Sequence, residues 1–195
     1  MKFFSHFSIT HFSNCYLLGP DRGGDAVLID PGIFDIGLLK KIENHKLYIR
    51  YVLVTHAHKA HIIGIKTLLK IYDAEIFSSR PIILDVPAHQ IRGGEQLVLG
   101  DFCFEVIETP GHSSDSVTFK LNCLLFTGDT ITAGSIGSTA TGYERSLLLA
   151  SIRQSILKLD DNTLIFPGHG PPTRVGIERR LNPYLQEKPQ NSARP

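Results

Sequence analysis

Five histidines and one aspartate share one context along this chain, each in a turn directly after a predicted strand. His56, His58 and His61 follow the apolar run Ile49-Arg50-Tyr51-Val52-Leu53-Val54, and His112 closes Thr109-Pro110-Gly111-His112. Asp129 closes Thr127-Gly128-Asp129, and His169 closes Pro167-Gly168-His169. Loops at the carboxyl ends of strands are where a rigid scaffold presents polar groups to a ligand. A site along one shared sheet edge is therefore expected.

The rest of the sequence agrees with a sheet-based fold. Lys2 to Ile9, Cys15 to Leu18 and Ala26 to Ile29 are short β-branched or aromatic runs separated by turn residues, and they read as antiparallel strands. Apolar residues then recur at helical spacing between Phe34 and Leu47, and again from Ile62 to Ile71. Strands are expected at Glu75 to Ser78, Gln96 to Leu99, Phe102 to Glu108, Ser116 to Leu121, Cys123 to Phe126 and Thr163 to Phe166. Thr141-Gly142-Tyr143-Glu144 has the spacing of a capping box, with Leu147, Leu148, Ile152, Ile156 and Leu159 following as one helix. Strands followed by a helix and a strand, twice over, predict an α/β arrangement with sheets inside and helices outside. At 195 residues one domain is expected, over 1–185, with the polar stretch 186–195 as a frayed tail.

Composition narrows the function classes. Twenty basic against nineteen acidic residues leave a net charge of +1, which argues against a nucleic-acid or anionic-membrane surface built on bulk charge. No run approaches the roughly 18 apolar residues of a membrane span. Polar residues from Ser5 to His11 break the apolar run a signal peptide needs, so a soluble cytoplasmic protein is expected. Cys15, Cys103 and Cys123 form no C-x-x-C pair and are read as buried free thiols in a reducing compartment. His6, His11, His45 and His89 have no motif context and are read as surface or structural. Tyr143 and Arg145 are expected near the mouth of the site.

The sharpest element is His56-x-His58-x-x-His61. Two imidazoles at i and i+2 of a turn can converge on one ion while the third faces a neighbouring position. Imidazoles with a carboxylate suit zinc, iron or manganese, and an open coordination position activates water.

These turns, in this order, resemble the signature of the metallo-β-lactamase superfamily: T-H-x-H-x-D-H at Thr55 to His61, then P-G-H at Pro110 to His112, G-D at Gly128-Asp129 and G-H at Gly168-His169. Asp30, in Leu28-Ile29-Asp30-Pro31-Gly32, matches the family's first acidic motif. The likeness is closest to short glyoxalase-II-like hydrolases, through Ala133 to Gly137, Pro167 to Pro172 and Glu178 to Pro183. It implies a four-layer αββα sandwich with one metal on His56, His58 and His112. A second would sit on His61 and His169, with Asp129 bridging both and serving catalysis. Asp30 would hold the loop of the first motif from behind. Zinc is the implied metal, one or two ions, with iron or manganese as alternatives. The implied reaction is attack of a metal-activated water on a small-molecule thioester or ester carbonyl.

Two positions depart from that pattern. Ala60 stands where the signature has aspartate, and Ser138 and Ala140 replace the Arg and Asp of the family's Ile-Gly-Arg-Thr-Asp loop. Lys59 adds a positive charge beside the gap. The first expectation is therefore a hydrolase with a weakened second metal site. The second is a mononuclear iron enzyme resembling persulfide dioxygenases, using His56, His112 and Asp129. The third is a catalytically weakened scaffold on the same fold.

Overall fold

The computed structural model describes residues 1–186. The first half runs β1 (Lys2–Ser8), β2 (Ser13–Gly19), β3 (Gly24–Ile29), α1 (Ile36–Asn44), β4 (Leu47–Leu53), α2 (Lys59–Ile62), α3 (Ile65–Leu68), β5 (Glu75–Ser78), β6 (Ile82–Ile83), β7 (Val86–Pro87) and β8 (His89–Gln90). The second half runs β9 (Gln96–Leu99), β10 (Phe102–Glu108), β11 (Val117–Leu121), β12 (Leu124–Gly128), β13 (Ile131–Thr132), β14 (Ser135–Ile136), α4 (Gly142–Ser151), β15 (Leu164–Pro167), β16 (Thr173–Arg174), α5 (Val175–Leu181) and α6 (Pro183–Gln186). One sheet has the order β1-β2-β3-β4-β5-β8, and the other β16-β15-β12-β11-β10-β9.

Alternation along each strand builds four layers. Cys15, Leu17, Ala26, Leu28 and Val52 pack outward against Leu38, Ile42, Ile65 and Leu68 of the first helices. Their neighbours Tyr16, Leu18, Val27, Ile29 and Leu53 pack inward against Phe104, Phe119 and Phe126 of the second sheet. Leu125 and Ile165 face the other way, onto Leu148, Ile152 and Val175. Both faces of each central strand are thus buried, which is why these strands read as continuous apolar runs. The result is the αββα sandwich, an α/β fold.

Several boundaries differ from the sequence reading for local reasons. The first helix is shorter than Phe34 to Leu47. Asp35 caps it, its side chain accepting from the Leu38 N–H at 2.8 Å, and Lys46 takes a left-handed φ of 56° that turns Leu47 into β4. The helix expected over Ile62 to Ile71 is two short pieces broken at Gly64. That glycine lies so close to the loop after β3 that a Cβ would stand 2.5 Å from the Pro31 carbonyl. The helix after the capping box loses regular pitch, with Ile152–Ile156 forming a wide π turn. Helices α5 and α6 were not foreseen. Of the cysteines, only Cys15 is buried. Cys103 faces outward on β10 and Cys123 sits in the β11–β12 turn, so both are exposed free thiols. Of the tail, only Gln186 is within the described residues, closing α6.

Candidate metal centre

Four strand ends meet at one place. β3 and β4 are parallel, so Asp30 and Thr55 leave the sheet side by side, tied by the Asp30 N–H to the Leu53 carbonyl at 3.0 Å. β12 and β15 are also parallel, and the Gly168 N–H donates to the Gly128 carbonyl at 2.8 Å, which places Asp129 beside His169. The β12–β15 register shifts between Phe126 and Gly128, a local irregularity that re-aims the next residue. The Val117 N–H donates to the Thr55 carbonyl at 2.9 Å and joins the two sheets at this edge.

The glycines of the G-D and G-H turns are required by close approach. A Cβ on Gly128, whose φ is 51°, would lie 2.4 Å from Thr55 Oγ1. One on Gly168 would lie 2.5 Å from His61 Cε1 and 2.6 Å from Asp129 Oδ1.

The ring orientations follow from the groups behind them. Asp30 is buried and accepts from the Thr55 N–H at 2.8 Å and the Thr55 hydroxyl at 2.6 Å. The Thr55 hydroxyl gives its hydrogen to Asp30, so at 3.1 Å its oxygen accepts from His56 Nδ1–H. His56 therefore turns a bare Nε2 into the site, where it is buried without a partner. His112 Nδ1–H donates to the Ser138 carbonyl at 2.8 Å, which leaves its Nε2 bare, 3.0 Å from His58 Nδ1. One nitrogen each from His56, His58 and His112 lies within 4.8 Å of the others.

Asp129 stands at the centre. Its Oδ2 lies 3.4 Å from His61 Nε2, 3.6 Å from His112 Nε2 and 3.9 Å from His56 Nε2, and its Oδ1 lies 2.7 Å from His169 Nδ1. Burial disfavours its charge, but hydrogen bonds from His169 and His61 outweigh burial and hold the carboxyl well below the usual range. His56 goes the other way. Burial, reinforced by the neighbouring imidazoles, pushes it from 6.5 to about 2, so the ring is neutral and ready to ligate. Burial also lowers His58. For His61, burial is overcome by Asp30 and Asp129 on either side, and its pKa rises to about 10. Its Nδ1 is 3.1 Å from Asp30 Oδ2 and its Nε2 3.4 Å from Asp129 Oδ2, so the ring lies between two carboxylates.

The six residues singled out from sequence all line this edge, but not as two equal sets. His56, His58 and His112 form one group, and His56, His61 and Asp129 form a second that shares His56. His169 is outside both groups: Nδ1 faces Asp129 and Nε2 lies 3.3 Å from the His11 carbonyl. At Ala60 the backbone carbonyl accepts from the Ser13 hydroxyl at 2.7 Å, and the side chain offers only a methyl group. Arg145 and Tyr184 line a cavity of about 370 Å³ with Ile136 to Thr139, beside the loop that holds His112, while Tyr143 is exposed. His6 pairs with Asp35, His89 with Glu75, and His45 stacks on Phe4.

Sequence reasoning missed the supporting residues. Buried Glu178 accepts from the Gly134 N–H, the Thr173 hydroxyl and Asn182 Nδ2, while Asn182 Nδ2 also donates to the Ser135 carbonyl. That network holds the loop whose Ser138 carbonyl orients His112. Asp115, also buried, accepts from the Ala57 N–H at 3.0 Å and fixes the turn between His56 and His58. Its only signal in the sequence is an acidic residue three positions after His112.

A divalent cation fits these residues. The orphaned Nε2 of His56, the bare Nε2 of His112 beside His58 Nδ1, and an ionised carboxylate make a nitrogen-and-oxygen donor set of the kind zinc, iron and manganese take. Rings oriented from behind bind metal more tightly. Thr55→Val removes the acceptor for His56 Nδ1–H with little change in volume. Metal affinity, measured by chelator competition, is expected to fall about tenfold, with circular dichroism unchanged.

Residues 9–169 match the metallo-beta-lactamase superfamily. The chain is 32% identical over 201 residues to the hydroxyacylglutathione hydrolase GloC of Haemophilus influenzae, covering 90% of this chain and 93% of that protein. Its fold is similar to the crystal structure of ETHE1 from Myxococcus xanthus, with a TM-score of 0.85 at 30% identity over 94% of this chain and 84% of the other. It is also similar to TTHA1623 in a di-iron-bound form, with a TM-score of 0.80 at 28% identity over 93% and 100% of the two chains. Matched motifs, sandwich and clustered histidines agree, and the chain belongs to the metallo-beta-lactamase superfamily.

Proposed function

We propose that this protein is a metal-dependent hydrolase of small thioesters or esters, with zinc on His56, His58, His112 and Asp129. The observation that carries the reading is the cluster of three imidazoles, His56, His58 and His112, two of which also lie within 3.9 Å of the ionised Asp129 carboxylate at the end of the sandwich. The bound metal supplies a Lewis acid for the carbonyl and lowers the pKa of a water it holds. Asp129, ionised and fixed by His169, accepts a hydrogen bond from the attacking water and orients its lone pair. Asp30 through Thr55, and the Ser138 carbonyl, keep two of the imidazoles from turning. His58, the exposed member of its group, marks the side from which substrate enters. The water oxygen bonds to the acyl carbon, the carbon–sulfur bond breaks, and the thiolate leaves to take up the water's proton.

We assign the second ion a weaker hold in this chain. Ala60 supplies no carboxylate, and both nitrogens of His169 are already engaged. The likeness to GloC supports hydrolysis of a thioester. One geometric fact favours a second reading: His56, His112 and Asp129 are two histidines and one carboxylate within 3.9 Å of the shared oxygen, the donor set of mononuclear iron oxygenases.

Chelator-stripped protein, returned to zinc, iron or manganese in turn, tests both. Zinc is expected to restore thiol release from an acyl N-acetylcysteamine thioester. Hydrolysis that survives stripping, or that no metal restores, would overturn the hydrolase reading. Oxygen uptake with glutathione persulfide in the iron-loaded protein would move the assignment to the second.

A further inference from the structure

At the rim of the centre Arg80 is built onto Asp115, the carboxylate that fixes the turn between His56 and His58. The loop after β5 is fastened to the Asp115 turn by the Ser79 hydroxyl, which donates to the Asp115 carbonyl at 2.6 Å, and by Arg80 Nε, 2.6 Å from Asp115 Oδ2. That oxygen also accepts the N–H of Ala57, between His56 and His58. The other oxygen of Asp115 accepts from the Ser113 hydroxyl. Asp115 is thus fully engaged and nearly buried, while the Arg80 side chain is 51% exposed. Among the described residues no other side chain or carbonyl takes up its terminal nitrogens. Arg80 is therefore pinned through Nε to the same carboxylate oxygen that holds the Ala57 N–H, one residue before His58, the exposed member of the first group. Lys59, exposed in the same turn, adds a second positive charge to this rim.

From this geometry we infer that Arg80 is a specificity-determining residue that receives a carboxylate on the acyl part of the substrate, so that the preferred thioesters are those of dicarboxylic acids. A guanidinium held through Nε keeps two parallel N–H groups, the arrangement that pairs with a carboxylate in bidentate fashion. The inference rests on the hydrolase reading for its substrate but not for its binding site.

The test compares succinyl and butyryl N-acetylcysteamine thioesters, equal in chain length and differing in one carboxylate, on zinc-loaded wild type, Arg80→Met and Arg80→Lys. The wild type is expected to favour the succinyl ester in kcat/KM, and Arg80→Met to lower the succinyl-to-butyryl ratio about tenfold, mainly through KM. Arg80→Lys restores a cation for Asp115 but no fork, so the ratio should recover only in part. A purely structural role would slow both esters together, leave the ratio unchanged and overturn the inference, as would a wild type without preference. If neither ester is cleaved, the hydrolase reading fails by itself. Calorimetry with succinate and butyrate then decides: succinate should bind more tightly to wild type and lose that advantage in Arg80→Met, and equal ratios in both proteins would overturn the inference.

Discussion

Asp129→Asn is expected to lower metal affinity about a hundredfold and hydrolysis on the order of a thousandfold, while the sandwich stays folded. The change keeps shape and removes charge at the point where His56, His61, His112 and His169 all come within 3.9 Å of one carboxylate. Without that charge the proposed zinc site keeps the three imidazoles of the first group but loses its anionic ligand, and the attacking water loses the acceptor that orients it. The metal-free protein carries a second signature. Asp129 has a depressed pKa, so its charge contributes stability above the ordinary value of 3.8, and that contribution disappears as the pH falls through the lower folded value. The stability gap between wild type and Asp129→Asn should therefore be widest near neutral pH and close on acidification. Chelator competition, thiol-release assays and urea denaturation at several pH values measure the three effects. Unchanged metal affinity in the variant would contradict the role given to this carboxylate.

Gly128→Ala should damage stability and metal binding together. The position combines a left-handed φ of 51° with a Cβ that would lie 2.4 Å from Thr55 Oγ1, 2.8 Å from Thr55 Cβ and 3.2 Å from His56 Nδ1. Strain in φ and overpacking together are expected to cost about 3 kcal/mol of stability. Relief is available only by moving Thr55, and Thr55 is what holds the His56 ring and links it to Asp30. Stability and metal affinity should therefore fall together. Thermal denaturation read beside metal titration checks this; a destabilised variant with wild-type affinity would mean that the turn carries structure but not ring orientation.

Much of this architecture was legible in the sequence because two periodicities and one recurring turn all pointed the same way. Strands Glu75–Ser78, Gln96–Leu99 and Phe102–Glu108 lie where alternation put them, and the Thr141–Glu144 capping box forms as written. Parallel pairing was not legible: β12 and β15 are adjacent although some 35 residues separate them, and pattern alone does not report a partner. The same limit hid the supporting residues. Glu178 stands in the sequence only as part of the stretch Glu178 to Pro183 that carries the family likeness, and its role shows once the fold brings Gly134, Thr173 and Asn182 to it. Cys103 shows the opposite error, since an apolar neighbourhood in sequence became the outward face of β10. At the site the candidate residues and their shared edge were legible from spacing and turn context, whereas their grouping was not. That His56 belongs to both three-residue groups, and that His169 spends its nitrogens on Asp129 and the His11 carbonyl, follows from distances that no spacing encodes.

The absent carboxylate at Ala60 is the point on which the account turns, and metal stoichiometry tests it most directly. Wild type and Ala60→Asp, each saturated with zinc and dialysed against metal-free buffer, would be compared by elemental analysis. Close to one ion per chain is expected in the wild type, with an increase toward two in Ala60→Asp. Two tightly held ions in the wild type, or none in either protein, would contradict it.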